Sequence, residues 1–540
     1  MATASPEPRR RVADVIACAL KSAGVRMLFG VPGGGSNLDV IAAAGAAGLP
    51  FVLTATETAG AIAALAQAEV TGRPGACLTT LGPGAASVVN GVACAYLDRA
   101  PLVVFTDSHP ASSTEFEHQQ LDHSALFRPV TKSSERLTPD NAAQALTRAL
   151  HKAVSARPGP VHLDCPGDVA SASAGAPGAT LIGWVEHTVT PEARSDLAAL
   201  LKSAHKPLLL VGLGARRTGD AAAIRAFCER RSVPAMVTYK AKGVVPDEHP
   251  WFAGVFTNAS IERPVVDESD LLIGVGLDPV ELIPRPWTWS QPIVHCGGWR
   301  ADDCHVPFAL QILTGVCGGL DEIDACLPPA RWDQARVGAL VDDQRKNILV
   351  RADGLTAQRV VEIAGRKLAP SAARVTVDAG AHMFPATMLW PVLEPNQMLI
   401  SNGLSTMGFA LPAAIGAALV DRDNPVVALT GDGGLLMCAA ELLTAVREKL
   451  RIITIVFSDR SLSLIEIKQQ ARQLPACGVA LGAIDWPALA GSFGVPAWAA
   501  STEDELDRAI DRAAAEPGPS LIEAKIDRSN YGATWRAVRG

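Results

Sequence analysis

Residues 426–470 constrain the fold more than any other part of this chain. They open on a short β-branched apolar run, Val426-Val-Ala-Leu-Thr430, which suits a buried parallel strand. Gly431-Asp432-Gly433-Gly434 then forces a tight turn where backbone can come close to a ligand. Residues 435–450 have helical spacing, with Glu441 early and Arg447 and Lys449 late, the order a helix dipole favours. Residues 451–457 form a second apolar strand, ending in Ser458-Asp459-Arg460-Ser461. Strand, turn, helix and strand make a βαβ unit with parallel strands, so Asp432 and Asp459 emerge at the same carboxyl edge, where ligands bind. Two carboxylates there suit a hard cation bridging to a phosphate, and Mg²⁺ takes one or two carboxylates plus phosphate oxygens.

The same alternation recurs along the chain, and 540 residues leave room for about three domains. Residues 1–170 alternate helices with apolar strands at 26–31, 51–56, 76–80 and 101–107. A small-residue, Gly/Pro-containing stretch at 170–179 reads as a linker. Residues 190–330 start with a helix and place strands at 207–211, 235–238, 270–276 and 291–296. The charged helical stretch 331–351 leads to 355–540, which holds the opening motif. The expected fold class is α/β, with three doubly wound parallel-sheet domains, although no sequence repeat links the first and third.

The middle segment carries Gly212-Leu213-Gly214 after a strand, half of a dinucleotide fingerprint. The third glycine is missing and Arg216-Arg217 stands in its place, so a nicotinamide dehydrogenase is a distant reading. Glu57 closes the apolar strand at 51–56. A carboxyl at such a strand end can exchange a proton near neutral pH if it is desolvated, or simply suit a helix N-terminus. His295-Cys296 and Cys304-His305 lack the paired spacing of a zinc site.

The motif at 426–470 resembles the thiamine diphosphate fingerprint: Gly431-Asp432-Gly433, then a second ligand 27 residues after the Asp, at Asp459. Members of that family usually carry Asn where this chain has Asp459. The resemblance implies that Asp432, Asp459 and the Ser461 carbonyl hold Mg²⁺ on the diphosphate, with Gly434 and Leu462 beside it. Glu57-Thr58-Ala59-Gly60, then Thr71-Gly72-Arg73 and Leu81-Gly82-Pro83-Gly84, follow the order seen in the amino-terminal domain of acetolactate synthase-like enzymes. That implies Glu57 as the proton partner of the aminopyrimidine N1′, near Gly82. Residues 401–412 resemble the segment beneath the cofactor, with Met407 as the wedge between its rings and the Ser405 carbonyl facing the 4′-amino group. The resemblance thus implies two thiamine diphosphate-binding domains, 1–170 for the pyrimidine and 355–540 for the diphosphate, flanking a Rossmann-like domain at 190–330.

The substrate side follows from His118-Gln119-Gln120-Leu121-Asp122-His123, which resembles the loop of the carboligating and lyase branch. Gln119 aligns with that branch's substrate-facing Gln, and His118 and His123 are candidate proton carriers, with solvated loop histidines as the alternative. Leu464 and Cys477 are candidate pocket residues. Decarboxylases of the family usually carry Asp or Ser directly after Pro-Gly and some have adjacent histidines. Here Gly34 follows Pro32-Gly33 and no such pair exists. We therefore expect a 2-oxo acid decarboxylated and joined to an aldehyde or a second 2-oxo acid. Alternatives are a non-ligating decarboxylase, a lyase of 2-hydroxy ketones, and a catalytically silent cofactor-binding subunit, which retention of Glu57 argues against. The Arg/Lys constellation of the flavin-bearing acetolactate synthases is not identifiable between 215 and 310, so FAD stays open.

A formal charge of −7 speaks against nucleic acid as a partner, and no apolar run is long enough for a membrane span. Eleven scattered cysteines without Cys-x-x-Cys spacing fit reduced thiols in a cytoplasm. In the family the diphosphate domain of one subunit meets the glutamate-bearing domain of another, which implies a homodimer or homotetramer with active sites at the subunit interface.

Overall fold

The computed structural model describes residues 10–114, 116–174, 188–302, 304–349, 352–371 and 374–539. Three six-stranded sheets carry the fold, and their paired strands run parallel throughout. The first has the spatial order Phe51–Leu53, Leu28–Val31, Gly75–Thr79, Leu102–Ser108, Val161–Pro166, Ser134–Arg136. The third runs Met398–Ile400, Arg374–Val377, Val426–Gly431, Ile452–Ser458, Ser520–Lys525, Ala497–Ala500. Numbered along the chain, both sheets read 2-1-3-4-6-5. The repeat invisible in the sequence is thus present in the topology.

The middle sheet runs Phe252–Val255, Ala235–Val237, Pro207–Val211, Leu271–Val275, Ile293–Gly297, Phe308–Leu313, the 3-2-1-4-5-6 order of dinucleotide-binding domains. Its two edge strands escape a sequence reading. Phe308–Leu313 is only partly buried, and Phe252–Val255 is interrupted by Gly254 at φ +102°. Central strands such as Leu102–Ser108 and Ile452–Ser458 are buried along their whole length, so they read as mainly apolar runs.

By packing, the chain forms two compact units. One comprises Met1–Trp184 with Ile415–Val420; the other comprises Val185–Ala414 with Asp421–Gly540. The second and third sheets therefore pack into one unit. Buried lysines on the loop after Ala235–Val237 show why. Lys240 Nζ donates to the Ile400 carbonyl (2.9 Å), and Lys242 Nζ pairs with Asp247 (3.1 Å) and donates to the Trp390 carbonyl (3.1 Å). Asp247 also accepts from Val392 N (2.9 Å), so one buried ion pair ties the middle sheet to the third. Lys242→Met should cost about 3–5 kcal/mol, because Asp247 would keep a buried charge without its partner. The shift of the urea midpoint measures it.

Two expectations are corrected in detail. The helix expected over 435–450 is two shorter ones, Asp432–Leu436 and Glu441–Arg447. Between them Met437 N, Cys438 N and Glu441 N each bond three residues back, which tightens the chain out of the α-helical register. The strand before Glu57 is only Phe51–Leu53, and Glu57 is the first residue of the helix Glu57–Thr71. The charged stretch 331–351 holds the helix Gln334–Ile348, and half of the expected linker, 175–179, lies outside the described residues. No described helix is long and apolar enough to cross a membrane.

Candidate active site

In the third sheet the strand order reverses between Arg374–Val377 and Val426–Gly431, the place where such sheets open a crevice. Asp432 begins the helix at that crevice. Its Oδ1 accepts from Gly433 N (2.8 Å), and its Oδ2 from Arg460 N (2.7 Å) and Asp459 N (3.2 Å). The turn after Val426–Gly431 is thereby fastened to the end of the neighbouring strand. Asp459 accepts from Ser461 N (3.0 Å) and from the Ser463 hydroxyl (2.7 Å). Burial pushes the Asp459 carboxyl up to about 6, with the charge of Asp432 adding to it, and burial also raises Asp432. Two oxygen-rich carboxylates that resist ionising side by side suit a shared divalent cation.

The loop carrying Asp459 is held in turn. Leu462 N donates to Val479 O (2.8 Å), Leu481 N donates to Arg460 O (2.9 Å), and Ser461 bridges to Ala480. The Ser461 hydroxyl donates to Glu466, which pairs with Arg528 (2.6 Å). Met407 and Leu462 converge on the turn: a Cβ on Gly433 would lie 2.6 Å from Leu462 Cδ2 and 3.2 Å from Met407 Cε. A cavity of about 950 Å³ is lined by Ser405, Met407, Gly431–Gly434, Asp459, Ser461, Leu462 and Leu464, while Cys477 is exposed and does not line it.

Three residues of this cavity region went unnoticed in the sequence. Asp378, at the end of Arg374–Val377, accepts from Gly408 N (3.1 Å), Phe409 N (3.3 Å) and the Thr430 hydroxyl (2.9 Å). It thus fastens the Met407 segment to the Gly431–Gly434 turn, and burial raises its carboxyl to about 6. His382 is buried, stacks on Phe457 (4.9 Å between centroids), and lines the cavity with Nε2 lacking any hydrogen-bond partner. Glu281, from the middle domain, lines it too. The available signal was Val377-Asp378-Ala379-Gly380, an acid and a glycine directly after a strand.

The other compact unit holds Glu57. Thr56 caps its helix by accepting from Ala59 N (3.2 Å), and a Cβ on Gly84 would lie 3.3 Å from Glu57 Oε1. The Gly82-Pro83-Gly84 turn therefore passes against the carboxylate. Gly82, at φ +58°, donates its N–H to His123 Nε2 (3.2 Å), which leaves Nδ1 to carry the hydrogen toward Asp164 Oδ1 (2.9 Å). The Thr106 hydroxyl donates to Asp164 (2.8 Å) and lies 2.8 Å from His162 Nε2. His123, His162 and Asp164 come close enough to hold a metal, the one such group among the described residues, but Thr106 already occupies their midst.

The expected histidine pair thus separates. His118 is exposed, whereas His123 is buried with both nitrogens engaged and holds the Gly82 turn. Gln119 is in the left-handed region (φ +62°), a strained backbone for a non-glycine residue, and lines a second cavity of about 730 Å³ with His109, Arg136 and Asp164.

Comparison with known proteins agrees with this arrangement. The chain matches the N-terminal TPP binding domain of the thiamine pyrophosphate enzymes over residues 10–126, their central domain over 195–297, and their C-terminal TPP binding domain over 378–524. It is 30% identical over 525 residues to acetolactate synthase isozyme 2 large subunit of Escherichia coli (strain K12), covering 94% of each chain. The chain belongs to the acetolactate synthase-like thiamine pyrophosphate enzymes. It is also 28% identical over 539 residues to acetolactate synthase of Bacillus subtilis (strain 168), covering 97% of this chain and 94% of the relative. Over 540 residues it is 28% identical to the catabolic acetolactate synthase of Raoultella terrigena, with 95% of each covered.

The residues of this thiamine pyrophosphate enzyme fit the cofactor. Paired carboxylates face the open turn, and the unpartnered His382 Nε2 lies beside it, since a Cβ on Gly431 would be 3.4 Å from that ring. The same cavity makes a pH prediction. Burial raises Glu281 to about 7, so folding must keep its carboxyl protonated where the unfolded chain would release the proton. That contribution lowers stability as pH rises from the ordinary glutamate range through 7. Glu281→Gln keeps the shape, its oxygen still accepts from Leu213 N, and the Thr238 hydroxyl can turn to accept from the amide, so calorimetry should show a Tm gain of a few degrees at pH 8 and none at pH 5.

Proposed function

We propose that the enzyme uses thiamine diphosphate and Mg²⁺ to decarboxylate a 2-oxo acid and join the remaining acyl carbon to an aldehyde or a second 2-oxo acid. The observation that carries this is the pairing of Asp432 and Asp459 at the switch point, with Met407 closing on the same turn. Thiamine diphosphate, when bound, supplies the electron sink that such carbon–carbon chemistry needs. Asp432, Asp459 and Ser461 hold Mg²⁺ against the diphosphate. Gly431, Gly433 and Gly434 would let the backbone approach it, with Leu462, Met407 and the Ser405 carbonyl lining the place where it would be held. Glu57 holds a proton at the pyrimidine N1′, and Gln119 faces the substrate from a turn that Gly82 and His123 fix.

Two features favour ligation over simple protonation. Gly34 stands where the family's decarboxylases carry an acid or Ser, and the chain has no adjacent histidines to deliver a proton. The relatives' names point the same way. The active form is a homodimer or homotetramer in which Glu57 of one subunit serves the diphosphate half of another. Exposed Leu436, Met437 and Leu443 beside the metal turn, and Leu38 and Leu53 on the glutamate-bearing unit, support such a covered surface. Free cysteines throughout fit a cytoplasmic location.

The test is a panel of 2-oxo acids with thiamine diphosphate and Mg²⁺, measuring CO₂ and identifying the carbon products together. We expect ligation products: a 2-hydroxy ketone from an aldehyde acceptor, or a 2-hydroxy-3-oxo acid from a second 2-oxo acid. CO₂ with free aldehyde as the sole product from every acceptor would leave a decarboxylase instead.

A further inference from the structure

The middle sheet reverses its strand order between Pro207–Val211 and Leu271–Val275. In sheets of this order a dinucleotide lays its pyrophosphate across that crevice, on free amides of the glycine turn and the helix N-terminus behind it. Each amide of this turn already has a partner within the chain. Gly212 N donates to Val275 O (3.0 Å), Gly214 N to Gly276 O (2.9 Å) and Ala215 N to Gly212 O (3.0 Å). The remaining one, Leu213 N, donates to the Glu281 carboxylate (2.8 Å).

The space is taken as well as the amides. A Cβ on Gly212 would lie 2.5 Å from Leu277 Cα and 2.8 Å from Glu281 Oε2, so this glycine makes room for the chain's own backbone and carboxylate. A Cβ on Gly214 would lie 3.2 Å from the Trp299 ring, which is anchored through its Nε1 to Asp278 (3.2 Å). The second oxygen of Glu281 accepts from the Thr238 hydroxyl (2.5 Å), and the side chain is buried. At the helix behind the turn, Thr218–Arg231, the first turn carries an acid of its own, Asp220.

We infer that Glu281 stands where a dinucleotide phosphate would bind, and that the middle domain consequently takes neither FAD nor a nicotinamide dinucleotide. An anionic ligand would have to displace a carboxyl group held by a backbone amide and a hydroxyl, and then move Trp299. Glu281 also borders the cavity of the thiamine diphosphate reading, but the inference does not rest on that reading and is tested without turnover.

The full-length protein, saturated with thiamine diphosphate and Mg²⁺, is titrated with FAD, NAD⁺ and ADP by calorimetry and flavin fluorescence. No ligand should bind more tightly than about 1 mM. Flavin that copurifies in stoichiometric amount, or saturable binding well below that concentration, overturns the inference. Thermal unfolding of Glu281→Ala then tests the occupant itself. The variant should melt below the wild type and regain several degrees with inorganic phosphate or ADP, while the wild type gains none. A folded variant that neither anion stabilises beyond the wild type removes Glu281 from this role. If the Ala variant does not fold, Glu281→Ser, with a smaller gap, reads the same anion-dependent gain.

Discussion

Glu57→Gln is expected to lower turnover by about 10²–10⁴-fold, the range a positioned proton donor or acceptor contributes, while thiamine diphosphate stays bound. The physical basis lies in what surrounds the side chain. Glu57 starts a helix whose residues Ala59 to Glu69 are all buried, so the backbone beneath it cannot yield easily. Thr56 caps that helix, and the Gly82-Pro83-Gly84 turn passes against the carboxylate. Gln keeps the volume and an acceptor oxygen, so this packing survives. It cannot share a proton with the pyrimidine N1′, because an amide neither gives up nor takes one near neutral pH. Cofactor binding by calorimetry and steady-state turnover, measured on the same preparation, separate the two effects. Unchanged turnover would remove Glu57 from the chemistry, and a loss confined to cofactor affinity would make it a binding residue.

What could be read in the sequence was what is local. The strand–turn–helix–strand unit at 426–470 declares itself because each part is set by neighbours within a few residues, and Asp432 and Asp459 follow from one crossover. Asp378 could not be found that way. Its partners lie 30, 31 and 52 residues away, and only the sheet brings them together. Glu281 reaches 68 residues back to Leu213, and His123 reaches 41 residues to both Gly82 and Asp164. The loop containing His123 reads as polar and solvated, yet its ring is buried by a cluster that no local pattern announces. The failed helix over 435–450 has a different cause. Apolar spacing persists through 437–440, but the bonds there close three residues back, which spacing alone does not register.

The substitution with the largest expected effect on cofactor affinity is Asp432→Ala. Three backbone amides, of Gly433, Asp459 and Arg460, point at this carboxylate, so its loss removes a metal ligand and frees the loop that carries the other. We expect the Kd for thiamine diphosphate in Mg²⁺ to rise at least as far as the roughly 100-fold that outer-shell partners of metal sites reach. Asp459→Asn should behave oppositely. Its carbonyl oxygen can still accept from Ser461 N and bind the metal, and the Ser463 hydroxyl can turn from donor to acceptor for the new amide. The change removes one negative charge beside the diphosphate and relieves the repulsion from Asp432 that adds to the burial raising the Asp459 carboxyl. Affinity should therefore be equal or higher, read by titrating Mg²⁺ at fixed cofactor and cofactor at fixed Mg²⁺. If both variants lose affinity alike, the second charge is needed at the metal, and the family's usual Asn is not a neutral replacement in this chain.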